Sequence, residues 1–274
     1  MRVKDVPDNL KPYVFHRLDL DWSEGEKEAL ADCLFCGRES KLSIDVKSGM
    51  YRCFVCEASG NHTTFLKGLW ELSVDSTEDY EWLAERRNLL NPETLIHWEC
   101  CKSVLSNNWM VPGYTADGNI SQLYRYAKVE NKLRLLATPK MNHAIHGNYS
   151  ENKSQIFLCE GPWDAMILWE LLDNSGELED ISVLATPGCN VFQKTWLPLF
   201  ADKDVTILFD NDHPREVKGK QIEPAGYAGC RKISRLLTGA SNPPASINFL
   251  KWGENGYNDE LPNNYDLGDF ICDA

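Results

Sequence analysis

No stretch of this 274-residue chain approaches the roughly 20 apolar residues that a helix needs to cross a bilayer, and a run such as Ala165–Trp169 falls far short. No membrane role follows. The opening residues Met1-Arg-Val-Lys-Asp-Val-Pro7 are polar and lack the apolar centre of a secretory leader. The ten cysteines are therefore read as reduced thiols of a cytoplasmic protein, not as a disulfide framework. There is no internal repeat, no low-complexity tract and no GxxxxGK[ST] phosphate loop, so an ATP-driven motor would lie on another chain or beyond Ala274. Positive charge is scarce too, with 28 Lys and Arg against 41 Asp and Glu. The resulting −13 argues at first against nucleic acid, which is bound through cations with release of counterions.

The distribution of charge softens that objection. Residues 33–67 carry five basic against three acidic side chains, residues 120–147 five against one, and residues 215–235 six against two. Acids gathered elsewhere could be neutralised by a metal. With 43% hydrophobic residues the chain can bury a substantial core, and its length suits one or two domains.

Cys33-x2-Cys36 and Cys53-x2-Cys56 supply four thiolates in two tight knuckles, the spacing that tetrahedral zinc requires. Between them, Lys41-Leu-Ser-Ile-Asp-Val46 and Met50-Tyr51-Arg52 flank a Lys47-Ser48-Gly49 turn. That pattern predicts a β-hairpin that sets the pairs side by side. Four sulfurs fill the coordination sphere, so this zinc is structural or supports a recognition surface, and His62 is left outside it. Arg38, Lys41, Lys47 and Arg52 are candidate contacts to single-stranded DNA. Tyr51 is the stacking ring, while Phe35 and Phe54 can equally form a small core around the metal.

Helices are expected over Thr63–Leu72 and Glu78–Arg87, and another from Asn91-Pro92, with short strands at Trp109–Tyr114, Ile120–Tyr126 and Leu133–Leu136. From Gln155 onward, apolar strands (Ile156–Cys159, Ile181–Ala185, Val205–Phe209, Ile247–Leu250) alternate with helices (Trp163–Leu172, Val191–Leu199, Gly226–Leu237). Such alternation implies a mainly parallel sheet covered on both faces. The fold class is α/β: a β-rich zinc-binding domain over 1–73, a small mixed α/β lobe over 74–153, and the parallel-sheet domain over 154–274.

Ligands of parallel sheets gather at the carboxyl ends of the strands. Glu160 ends the first of these strands, and Asp210-Asn211-Asp212 follows the third. Three carboxylates at strand ends point to a divalent metal and to phosphoryl-transfer chemistry. Asp164 reads as a residue of the helix start, and Cys100, Cys101 and Cys189 as core or incidental thiols.

The phrases Cys159-Glu-Gly-Pro-Trp-Asp-Ala165, Leu208-Phe-Asp-Asn-Asp212, Ala225-Gly226 with Gly229, and Tyr265-Asp266-Leu-Gly-Asp269-Phe resemble the TOPRIM domain of bacterial-type primases, topoisomerases and some nucleases. With the four-cysteine ribbon upstream, nearly the whole chain resembles bacteriophage and bacterial-type DNA primases. The phrases Tyr80–Arg86, Asn91–Leu95, Trp109–Tyr114 and Asp117-Gly118-Asn119 resemble the start of their polymerase core. The resemblance implies that Asp210, Asp212 and either Asp266 or Asp269 hold Mg²⁺ or Mn²⁺, with Glu160 as a further ligand or as the general acid/base. It implies synthesis of RNA primers from ribonucleoside triphosphates on single-stranded DNA, with a replicative helicase and polymerase as partners.

Arg125, Lys128, Lys132, Arg134 and Lys140, joined by Lys218 and Lys220, are the candidate cations for triphosphate and template. A metal-dependent nuclease and a non-catalytic docking module are the alternatives. A topoisomerase would need a DNA-cleaving tyrosine domain for which the chain has little room. The sequence departs from the family at Leu34, where a proline is usual, and in the insertion His213–Pro224.

Overall fold

The structure, a computed structural model, describes residues 2–147 and 149–273 and divides into two compact units. One unit comprises the chain up to Asp79 with Glu99–Gly113 and Ile120–Asn142; the other comprises Tyr80–Trp98, Tyr114–Asn119 and the chain from His143. No helix among the described residues is long and apolar enough to cross a membrane.

In the first unit, helix α1 (Lys11–Phe15) precedes a meander of β1 (Glu28–Ala31), β2 (Leu42–Asp45), β3 (Tyr51–Cys53) and β4 (Ser59–Gly60), antiparallel throughout. The β2–β3 hairpin forms where period-two alternation predicts it. Gly49 turns the corner at φ +71, and a Cβ there would lie 2.3 Å from the His62 ring. Helix α2 (His62–Val74) begins at Asn61, whose side chain accepts from the Thr64 N–H at 3.1 Å. A second sheet follows in the order β5 (Cys101–Lys102), β6 (Trp109–Tyr114), β7 (Ile120–Val129) and β8 (Lys132–Leu136). Glu130 and Asn131, both at positive φ, make the two-residue turn between β7 and β8, a geometry matched to the strand twist.

The second unit opens with α3 (Glu81–Arg86) and α4 (Glu93–His97). Its sheet is built from β9 (His146–Gly147), β10 (Gln155–Cys159), β11 (Ile181–Ala185) and β12 (Asp204–Leu208), with a later strand beyond β12. Strand β10 lies between β11 and β12 and is parallel to both, while β9 is an antiparallel edge. Cys159 is in register with Ala185 and with Leu208, so three strands end level. The residues just past them therefore share one rim.

Helix α5 (Pro162–Ser175) starts with Gly161 and Pro162 and stops at Gly176, left-handed at φ +74. After β12, residues 213–224 contain β13 (Arg215–Val217) and β14 (Lys220–Ile222); α6 (Ala225–Thr238), β15 (Ser246–Phe249) and α7 (Leu267–Asp273) complete the unit. Strand β15 pairs parallel to β12. Ile156, Leu158, Leu184, Val205 and Ile207 from the strands, with Phe209 just past β12, pack with Trp196, Phe200, Ile233 and Leu237 in one core, each such burial contributing about 1.5–3 kcal/mol.

The helix expected at Val191–Leu199 is instead a 3₁₀ segment, Lys194–Phe200. Pro198 lies inside it and removes a donor that an α-helix would use.

A buried carboxylate ties α4 to α5. Glu170, 4% exposed, accepts from the N–H groups of Leu90 and Asn91 at 2.7 and 2.6 Å and from Thr94 Oγ1 at 2.9 Å. Replacing it by Ala leaves three donors without their acceptor. Glu170→Ala should lose about 2–4 kcal/mol in urea unfolding and Glu170→Gln less, because one oxygen remains. A loss below about 1 kcal/mol for the Ala variant would contradict this role.

Candidate metal centres

Strands β2 and β3 bring the two cysteine pairs together. The Sγ atoms of Cys33 and Cys56 lie 3.8 Å apart, as do those of Cys36 and Cys53. All four fall within 4.8 Å of one another. A tetrahedron with zinc–sulfur bonds of about 2.3 Å has edges near 3.8 Å, so the four thiols fit a structural zinc. His62 is elsewhere, its Nε2 2.7 Å from the Asn9 carbonyl oxygen.

Around the cysteines, Arg38, Lys41, Lys47 and Arg52 are exposed. Tyr51 corrects the expectation of a stacking ring. It is 4% exposed and stacks on Phe35 at 5.8 Å between ring centres, with its edge toward Phe65. Strand parity explains this, since Tyr51 shares the inner face with Cys53. Phe54, 65% exposed, presents the free ring instead.

The basic segment of the first unit is divided. Arg125 is 9% exposed, donates from Nη1 to the Phe15 carbonyl at 2.5 Å and lies 4.3 Å over the Phe15 ring. It is a packed cation, not one presented to phosphate, which corrects its assignment as a nucleotide or template contact. Lys140 is exposed and paired with Asp8 at 2.7 Å. Lys128, Lys132 and Arg134 are exposed on β7 and β8. Pairing of Ala127 with Arg134, Lys128 with Leu133 and Val129 with Lys132 puts Arg134 and Lys132 on one face and Lys128 on the other.

The acids converge in the second unit, on the level rim of β10, β11 and β12. Backbone contacts position Glu160: its carbonyl accepts from Gly188 N–H at 3.0 Å and from Thr186 Oγ1 at 3.3 Å, and its Oε2 lies 3.5 Å from the Asp210 N–H. Asp212 Oδ2 accepts from the Gly226 N–H at 2.7 Å, where α6 begins and its free N–H groups favour negative charge. Gly226 is required there, for a Cβ would come within 2.5 Å of the Asp210 carbonyl oxygen.

Cys189 joins them. Ligand atoms of Glu160, Cys189 and Asp212 all lie within 4.8 Å of one another. Asp164, on the first turn of α5 and 9% exposed, sits beside Asp266, and both feel the Arg87 charge.

This crowding is visible in the ionisation of the acids. Burial, with the Asp212 charge, raises Glu160 to about 7. Burial and then the Asp266 charge raise Asp164 to about 7, against the opposing pull of Arg87. Asp210 is pushed up to about 10 by burial and by Glu160, Asp164, Asp266 and Asp212 in turn. Asp266 is raised as well, chiefly by burial. Carboxylates gathered this closely ionise together only with a cation among them, and oxygen donors suit Mg²⁺ or Mn²⁺.

Asn211 explains how the last acid arrives. Fully buried, its side chain donates to the carbonyls of Asn258 and Pro262 at 3.0 and 3.2 Å and accepts from the Asn258 N–H at 2.8 Å. Its backbone pairs with Tyr265, the residue before Asp266. Asp266 is half-buried among the acids, whereas Asp269 is exposed. These two exchange bonds in the manner of a capping box, Asp269 N–H to Asp266 Oδ1 at 2.7 Å and Asp266 N–H to Asp269 Oδ2 at 3.3 Å.

Asp164, Cys189, Asn211 and Arg87 are the site residues that sequence reasoning missed. Cys189 was legible only in part: it lies in the loop that leaves the carboxyl end of β11, four residues past Ala185. Arg87 carries no such signal. Lys218 and Lys220 are exposed on the β13–β14 hairpin beyond Asp212.

No protein-family model and no curated protein sequence matches the chain. Solved structures do. A DnaG catalytic core aligns with TM-score 0.52 at 13% identity, over 77% of this chain and 75% of that one. A DnaG primase catalytic domain bound to single-stranded DNA aligns with TM-score 0.52 at 12% identity, over 77% and 76%. The Escherichia coli primase catalytic core aligns with TM-score 0.50 at 12% identity, over 77% and 75%. The chain has the fold of the primase catalytic core.

Proposed function

We propose that this chain is a DNA primase, a nucleotidyltransferase that joins ribonucleoside triphosphates on a single-stranded DNA template. The observation that carries this reading is the convergence of Glu160, Asp164, Asp210, Asp212 and Asp266 at the carboxyl rim of a parallel sheet. The primase-core fold and the four-cysteine ribbon support it. The functional modules are the ribbon over 1–73, the lobe over 74–153 and the catalytic domain over 154–274, acting in the cytoplasm beside a replicative helicase and polymerase.

In the reaction, a 3′-hydroxyl attacks an α-phosphate and pyrophosphate leaves. Glu160, Asp210, Asp212 and Asp266 would hold Mg²⁺ or Mn²⁺, which lowers the pKa of the attacking hydroxyl and stabilises charge on the leaving group. Alternatively, with the ion held by the three aspartates alone, Glu160 would accept the hydroxyl proton on its carboxylate. Gly226 N–H and the Glu160–Gly188 backbone contact hold the acids in place before substrate arrives. Lys128, Lys132 and Arg134 are the exposed cations for triphosphate and template in the first unit, and Lys218 and Lys220 those for template in the second. Zinc held by Cys33, Cys36, Cys53 and Cys56 would fix the surface of Arg38, Lys41, Lys47, Arg52 and Phe54 for reading the template.

The test is incubation with labelled ribonucleotides, Mg²⁺ or Mn²⁺ and mixed single-stranded templates. Short template-dependent RNA is expected. Cut DNA without RNA would replace this reading with a nuclease, and neither product would leave a binding module.

A further inference from the structure

The insertion after Asp212 is an ordered ribbon with two unlike faces. Arg215 pairs with Ile222, Glu216 with Gln221 and Val217 with Lys220. Directly opposed residues share a face and alternate pairs change face, so Arg215, Val217, Lys220 and Ile222 lie together while Glu216 and Gln221 lie behind them. Lys218 and Gly219, at φ +52 and +75, form the two-residue turn at the tip and pin the register.

The first face is unsatisfied on both counts that matter. Val217 and Ile222 are 45% and 39% exposed. Among the described residues no ion pair engages Arg215, Lys218 or Lys220. The acid at the ribbon's base is already used, because Glu223 pairs with Arg231 at 2.6 Å. Two cations and two aliphatic side chains therefore share one exposed face of the ribbon, and the one remaining acid, Glu216, lies on its other face.

Resting on the primase reading, we propose that this face of the β13–β14 ribbon grips the sugar–phosphate backbone of the template–primer hybrid next to the acidic centre. Arg215 is three residues from Asp212, a span of no more than about 11 Å, so whatever it holds lies beside the reacting strand. A free triphosphate offers charge but no surface to cover Val217 and Ile222. A paired strand offers phosphates for the cations and sugar surface for the aliphatics. Among nucleic acids, the hybrid is the species that the acidic centre builds.

Fluorescence anisotropy tests this with a labelled RNA–DNA hybrid, the single-stranded DNA alone and ATP, between 50 and 200 mM salt, with primer lengths read in parallel. Arg215→Glu combined with Ile222→Ser should weaken hybrid binding at least about tenfold and flatten its dependence of log K on log salt by about one. The same variant should leave ATP affinity alone and reduce the ratio of longer products to dinucleotides. Arg215→Lys should keep hybrid binding, which separates lost charge from a misfolded ribbon. Hybrid affinity within twofold of the parent, an equal loss for ATP, an equal loss for single-stranded DNA, or no measurable hybrid binding by the parent would each overturn the proposal. Absence of RNA synthesis by the parent would count against the primase reading, and the anisotropy would still decide the ribbon.

Discussion

Asp210→Asn should abolish RNA synthesis, by at least about a thousandfold, while making the protein more stable in the absence of divalent metal. The two effects have one cause. Burial and the neighbouring acids raise Asp210 to about 10 and Glu160 and Asp164 to about 7. In the unfolded chain these groups ionise near 4. A carboxyl whose folded value lies above its unfolded one favours the folded state while protonated, and that contribution is fully present only below about pH 4. It drains away as pH rises through 7 and on toward 10.

The melting temperature without added Mg²⁺ or Mn²⁺ should therefore fall between pH 5 and pH 9. The increment on adding Mn²⁺ should grow over the same interval, because the ion binds ionised acids. Asp210→Asn removes the cost of protonating this carboxyl on folding and should melt about 2–5 °C higher in metal-free buffer at neutral pH, with most of the Mn²⁺ increment lost. Thermal melts at several pH values settle the matter. A flat metal-free profile, or a variant melting below its parent, would refute the electrostatic account, and retained synthesis by the pure variant would remove Asp210 from the site.

Cys53→Ser should act on the other unit. Structural zinc sites contribute on the order of 10 kcal/mol to the folding of small domains, more than a four-stranded meander can replace. Elemental analysis should show bound zinc falling from about one per chain to a small fraction, and limited proteolysis should open the segment between Cys33 and Gly60. Template-specific initiation should be lost before untemplated activity, with the Mn²⁺-dependent thermal shift intact. A variant that keeps zinc, or that starts at the same template positions, would separate the ribbon from recognition.

Much of this architecture is legible in the sequence because buried parallel strands are written as unbroken apolar runs and zinc knuckles as fixed spacings. Ile156–Cys159 and Val205–Phe209 could hardly be anything but core strands, and Glu160 and Asp210 at their ends inherit their position. Single side chains were harder. Arg125 reads as a basic residue between aromatics, and only the fold shows that Phe15, 110 residues away, occupies its guanidinium. Asp164 follows a helix start, where an acid is ordinary, and its proximity to Asp266 depends on a loop with no regular period. Tyr51 and Phe54 could have been told apart by parity, since Tyr51 shares its face with Cys53.

Asn211 has a kinetic consequence. The acids come from positions 160, 164, 210, 212 and 266, and the last is delivered by a loop that one buried amide holds through three hydrogen bonds. Such a site has high contact order: strands β10 and β12 must pair, and the 258–265 segment must close, before the full ligand set exists. A divalent ion held by the full set would then bind tightly only late in folding, and its capture would mark molecules whose chain has already found its topology.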